Sequence, residues 1–131
     1  LVHAQANRTR LYRQSLDRIR TLFENRAFGR AEALCRVLLA ADVDHRDARF
    51  LLSVSLFYQA RYSESIVENQ RLVERYPYFD EGVLQLAHAL ESSGRFEEAQ
   101  ATYQTLLKRT SSAEMGQIGR ERLDALEERM P

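Results

Sequence analysis

Three histidines, one cysteine and a few neighbouring acids are the side chains of this sequence best suited to chemistry. His45 stands beside Asp44 and Asp47, a grouping that could begin a metal site. A bound metal needs several ligands held in fixed geometry. Here there is no second cysteine and no His-x-x-x-His pair, and His3 and His88 are remote in sequence from His45. No metal and no other cofactor is expected. Cys35 falls on an apolar stripe, where a lone thiol behaves as a small buried hydrophobe, and with one cysteine no internal disulfide can form. The acids Glu97 and Glu98 open a helical segment, where negative charge suits the helix dipole. The chain contains no nucleophile motif, phosphate-binding glycine loop or HExxH sequence. It is not expected to be an enzyme.

The arginines Arg8, Arg10, Arg13, Arg18 and Arg20 form the other chemical signal. Such a run suits RNA or an acidic partner. It suits equally a solvated helix surface with Asp17 and Glu24 as local partners. Tyr12 is the one aromatic interleaved with it, and 19 basic residues balance 19 acids. A basic footprint is the first requirement of nucleic-acid binding, so no nucleic-acid partner is expected. The charge is unevenly spread. Residues 1–36 hold eight arginines against three acids (+5), and residues 80–131 hold six basic residues against ten acids (−4). Such a dipole can steer a partner, or favour head-to-tail self-association, at low salt.

These side chains must be positioned by helices. Apolar residues recur at a period of 3.6 in segments of helical length, and sustained strand-like alternation is missing. Leu16, Ile19, Leu22 and Phe23 make one stripe, and Phe28, Ala31, Leu34, Cys35, Leu38 and Leu39 make the next. Hydrophobic residues are 44% and charged residues 29% of 131, a soluble globular mix. No run of eighteen apolar residues could span a membrane.

The stretch "SGRFEEA", residues 93–99, repeats in altered form. Phe96 and Ala99 have counterparts 34 residues earlier at Tyr62 and Ser65, and again at Phe28 and Ala31. Leu22, Leu56 and Leu90 share the interval, as do Leu38, Leu72 and Leu106. A 34-residue unit of two helices is the tetratricopeptide period, and the chain resembles that family. Gly94 then sits at the turn between helices A and B, where positive φ costs glycine nothing.

The resemblance implies an all-α fold, a right-handed α-solenoid of three helix pairs (12–45, 46–79, 80–113) closed by a capping helix over 113–130. Residues 4–25 read as one long first helix. Ser111 and Glu114 have capping-box spacing at the start of the last one. In the first unit Arg18 stands where a core leucine is expected, so helix A there is shifted in register or leans outward.

In this family helix A lines a concave groove that takes a peptide or helix of a partner protein. Carried over, the first unit offers Arg13, Leu16, Arg20, Phe23 and Glu24. The second offers Asp47, Phe50, Val54, Phe57 and Tyr58, and the third Glu81, Leu84, His88 and Glu91. Phe50, Phe57 and Tyr58 should be unusually exposed for large aromatics. The family's lysine and asparagine carboxylate clamp is missing, so the acidic tail of a heat-shock chaperone should not fit. The stretch "VDHRDARFLLSVSLFYQARYSESI", residues 43–66, also resembles the second repeat of type III secretion translocator chaperones. The implied function is a non-catalytic protein–protein interaction module, a bacterial scaffold or adaptor, with a secretion chaperone as the alternative. The partner is another protein or a second copy. The chain starts at Leu1 rather than methionine and is read as a trimmed piece. A cytoplasmic location is favoured, with the periplasm the alternative if a signal peptide has been removed.

Overall fold

The computed structural model describes residues 2–131. The stripes become seven α-helices: α1 (Val2–Glu24), α2 (Phe28–Ala41), α3 (Arg46–Tyr58), α4 (Tyr62–Arg75), α5 (Asp80–Ser92), α6 (Phe96–Arg109) and α7 (Ala113–Arg129). Among the described residues there is no strand. Two compact units follow from the packing, one ending at Ala60 and one spanning Arg61–Pro131.

In the first unit α2 packs on both α1 and α3. Its core is Ile19, Ala31, Cys35, Leu38, Ala48, Leu52 and Leu56. Ile19 is fully buried, while Arg18, the counterpart of buried Leu52 and Leu86, is exposed. Ile19 corresponds to Ser53 and Ala87, also buried, one and two intervals on. The 34-residue interval is kept here, so α1 shows no shift in register, and exposed Arg18 keeps its charge in water. Cys35 is fully buried. Burial pushes its thiol up to about 12, with the charge of Glu32 adding and that of Arg36 opposing. It is an inert packing residue.

In the second unit α4, α5, α6 and α7 pack in succession, and α7 also reaches α5. Ile66, Leu72, Val83, Leu90, Tyr103, Leu106, Leu123 and Leu126 are buried. Gly119 lets α7 approach α6 closely, since a Cβ there would lie 3.1 Å from Leu106 Cδ2. The cap of α7 is Ser112, one residue beyond the expected Ser111. Its hydroxyl accepts from the Met115 N–H at 3.1 Å, and its own N–H donates to the Thr110 hydroxyl. That second bond sets the chain's direction and moves the cap by one position.

The A-to-B turns carry the clearest mark of repetition. Arg26, Ala60 and Gly94 have φ of 57°, 59° and 82°, each 34 residues from the next. After Glu24 the Arg26 N–H donates to the Phe23 carbonyl and the Ala27 N–H to the Leu22 carbonyl. After Ser92 the Gly94 N–H donates to Glu91 and the Arg95 N–H to Leu90. This is the Schellman closure, which uses a left-handed residue to satisfy the last helical carbonyls. At the following helix start, Arg95 pairs with Glu98 at 2.6 Å as Arg61 pairs with Glu64 at 2.6 Å.

Candidate partner-binding site

In the first unit the expected groove residues divide between α1 and α3. Leu52 and Leu56 face the core, whereas Asp47, Phe50, Val54 and Phe57, at steps of three and four, fall on another side of α3 and are each half-buried. Opposite them α1 supplies Leu16 and Phe23, partly buried against the core, and Arg13 and Arg20 in solvent. A cleft of about 420 Å³ brings Arg13, Leu16, Arg20 and Asp47 together.

Three further residues of this cleft, Thr9, Tyr12 and His45, were not among those expected. The His45 imidazole caps α3, its Nδ1 accepting from the Ala48 N–H at 3.1 Å. The Tyr12 ring meets it edge-on at 5.2 Å. The usable signal was position: His45 immediately precedes an apolar-periodic segment, where an acceptor side chain is favoured. Histidine is outside the usual capping set, so the signal was weak. The charges at the rim are partly engaged. Arg20 pairs with Asp17 at 3.2 Å, and Asp47 with Arg46 at 3.1 Å. Glu24 is exposed at the end of α1.

The aromatic residues form a chain rather than an open row. Phe23 meets Phe28 at 5.6 Å, and Phe28 stacks on Tyr58 at 4.8 Å with 17° between planes. Tyr58 meets Phe57 edge-on at 5.5 Å. Tyr58 is 56% exposed. Phe50 and Phe57 are half-buried. Phe28, missed as a site residue because it reads as a helix anchor, links the predicted Phe23 and Tyr58.

In the second unit Glu81 is exposed, Leu84 and His88 are half-buried, and all stand on α5. Burial pulls the His88 pKa below the ordinary value, the charge of Arg122 adds to that, and Glu91 opposes it. Glu91 is not the open rim charge expected of it. Its carboxylate accepts from the Tyr103 hydroxyl at 2.9 Å and from Arg129 at 2.7 Å. Burial and this bond raise the Tyr103 pKa. Glu91 therefore fastens α6 and α7 to α5, and its charge is spent inside its own unit. Among the described residues no three His, Cys, Asp or Glu side chains are grouped to hold a metal. No helix is long and apolar enough to cross a membrane among them.

Residues 46–130, from the start of α3 to the end of α7, match the family model of the bacterial transcriptional activator domain. The chain belongs to that family. Helices α1 and α2 lie outside the matched segment. Solved structures supply the fold. The Yersinia enterocolitica type III secretion chaperone SycD, in complex with a peptide of the translocator YopD, superposes with a TM-score of 0.83 at 12% identity, over 91% of this chain and 94% of that one. The first TPR of Spaghetti (RPAP3), bound to an HSP90 peptide, gives 0.79 at 11% identity over 88% and 89%. The TPR2B domain of yeast Sti1, in a complex with Hsp70, gives 0.73 at 15% over 86% and 93%. No curated protein matches the sequence. The fold of this activator-domain chain is thus of the tetratricopeptide type, as its 34-residue interval implied.

Proposed function

We propose that the chain is a non-catalytic interaction module of a bacterial transcriptional regulator, and that it binds a peptide or helix of a partner protein. The observation that carries this is the face shared by α1 and α3. There Leu16 and Tyr12 offer apolar surface, half-buried Phe50, Val54 and Phe57 continue the side of α3 that carries Asp47, and Arg13 and Arg20 stand at the edge. Apolar anchors with a few convergent charges are how such grooves take a peptide. The arginines favour a ligand with at least one acid beside its apolar anchors. The structures of similar fold were solved with peptide or protein partners, which supports a binding role for this fold. The family's description supports a place in transcriptional activation.

The repeat boundaries 12–45, 46–79 and 80–113 belong to this reading, and the left-handed turns at one interval support them. A secretion chaperone is the second reading, favoured by the extent of the SycD likeness. At 12% identity that likeness speaks to fold, and the family match supports the regulator reading over it.

The test is a peptide-display selection with the intact chain as bait. Expected is enrichment of apolar sequences bearing acids, bound in titrations at low salt and lost in Leu16→Asp and in Arg20→Glu. Binding indifferent to both substitutions removes the α1–α3 face from the proposal. No enrichment at all removes peptide binding.

A further inference from the structure

On the other side of α1 lies a second apolar surface. Arg18 is about 200° around the helix from Leu16, so it belongs to a different face from the one just described. Leu22, Ala33, Leu34 and Val37 form with Arg18 and Arg30 a shallow cleft of about 360 Å³ between α1 and α2. Its apolar character extends outward. Val37 is 63% exposed, and Leu11, on the same stripe of α1 as Arg18 and Leu22, is 61% exposed. The last helix of the chain presents polar residues outward, Glu121, Asp124 and Glu128 among them, while its apolar residues Leu123 and Leu126 are buried. The α1–α2 face has no such polar finish. Exposed apolar stripes of this kind mark an interaction surface.

Charge identifies what it takes. Several arginines of the chain sit against an acid, as Arg20 does on Asp17, Arg36 on Glu32 and Arg71 on Glu68. Arg18 and Arg30 have no acid three or four residues away in either direction, and among the described residues neither makes an ion pair. Two unpaired guanidinium groups thus flank an apolar floor. A second copy placed face to face would bring four arginines together, which opposes that occupant. Two packed helices leave a groove between their ridges that another helix fills.

We propose that the α1–α2 face docks an amphipathic helix of a partner, with acidic side chains along the edges of its apolar stripe. The apolar stripe covers Leu22, Leu34 and Val37, and the acids pair with Arg18 and Arg30. This site is independent of the α1–α3 face, and either can exist without the other.

The probe is a designed peptide of roughly eighteen residues, long enough to hold helix. It carries leucines at helical spacing flanked by glutamates, and a twin has lysines in place of the glutamates. Fluorescence anisotropy with the intact chain should show binding of the glutamate peptide and not of its twin. The double variant Arg18→Glu, Arg30→Glu should weaken the glutamate peptide by about tenfold or more and admit the lysine peptide. Both side chains are exposed, so the fold should persist, and the far-UV spectrum checks it. Arg13→Gln, at an exposed residue of the α1–α3 cleft, should leave this binding nearly unchanged, separating it from the α1–α3 face. Equal binding of the two peptides, no binding of either, or indifference to the charge reversal overturns the proposal. So does a dimer in sedimentation, without peptide, that Val37→Glu dissolves, because the occupant is then a second copy.

Discussion

Arg26, Ala60 and Gly94 occupy equivalent left-handed turns, yet one of them is glycine. For an L-residue that conformation costs about 1–2 kcal/mol through the clash of Cβ with the carbonyl. A Cβ at Gly94 would meet nothing within 4 Å, so a substitution there is penalised by backbone conformation and not by crowding. Ala60→Gly should therefore raise stability by about 0.5–1 kcal/mol, after the extra freedom of glycine in the unfolded chain is deducted. Gly94→Val should lower it by about 1 kcal/mol or more. Urea midpoints read both, and equal midpoints would remove strain from the account. His88 gives a pH test. Its pKa is lowered in the folded chain by burial and Arg122, so the unfolded chain binds the proton more readily. Stability should then fall as pH drops below the ordinary imidazole value of about 6.5, down to the lower folded value. His88→Gln should flatten that part of the curve. A slope unchanged in the variant assigns it to other groups.

At the scale of elements, α7 is held along its length and at its end. Leu123 and Leu126 bury themselves along its length, and Arg129 near its end reaches Glu91 of α5 while lying over the Phe96 ring at 5.4 Å. Glu91→Ala would strand the Tyr103 hydroxyl and release Arg129, a loss of about 1–3 kcal/mol for a buried donor left without its acceptor. Amide exchange should quicken in α7 first. Truncation after Ser112 should uncover Leu106 and Tyr103 and lower solubility. A truncated chain that stays monomeric with the same melting temperature would show that α7 is not a cap.

The helices themselves were legible, because 3.6-residue stripes and a 34-residue interval are properties of single positions. The first and last helices, expected over 4–25 and 113–130, run Val2–Glu24 and Ala113–Arg129. The site was less so. Which charges remain available depends on partners distant in sequence, as Glu91 shows through Arg129, thirty-eight positions away. That Arg18 would stay exposed where Leu52 and Leu86 are buried was open in the sequence, because Arg18 and Ile19 are neighbours and only packing against α2 and α3 places Ile19 alone in the core. The roles of His45 and Phe28 rest on a capping geometry and a ring stack that no spacing rule announces.

At the scale of the molecule, the charges cancel while remaining segregated. Net charge is zero, and the sequence pI is about 7.0. Neutral pH therefore offers no net repulsion between copies. The excess of +5 over residues 1–36 and −4 over residues 80–131 leaves opposite regions free to attract one another between molecules. Two forces then compete for control of weak association, and salt separates them. Attraction between charged regions is screened within about 8 Å at physiological ionic strength, whereas apolar contact is not. Light scattering at pH 7 should show net attraction at low salt that declines as salt is added. It should also decline when the pH is moved by two or three units either way and the chain acquires net charge. Attraction that grows with salt would mean that the apolar α1–α2 face, with exposed Leu11 and Val37, governs association, with the charge asymmetry secondary. The Val37→Glu variant decides that case: it should abolish a salt-strengthened attraction and leave a salt-weakened one nearly as it was.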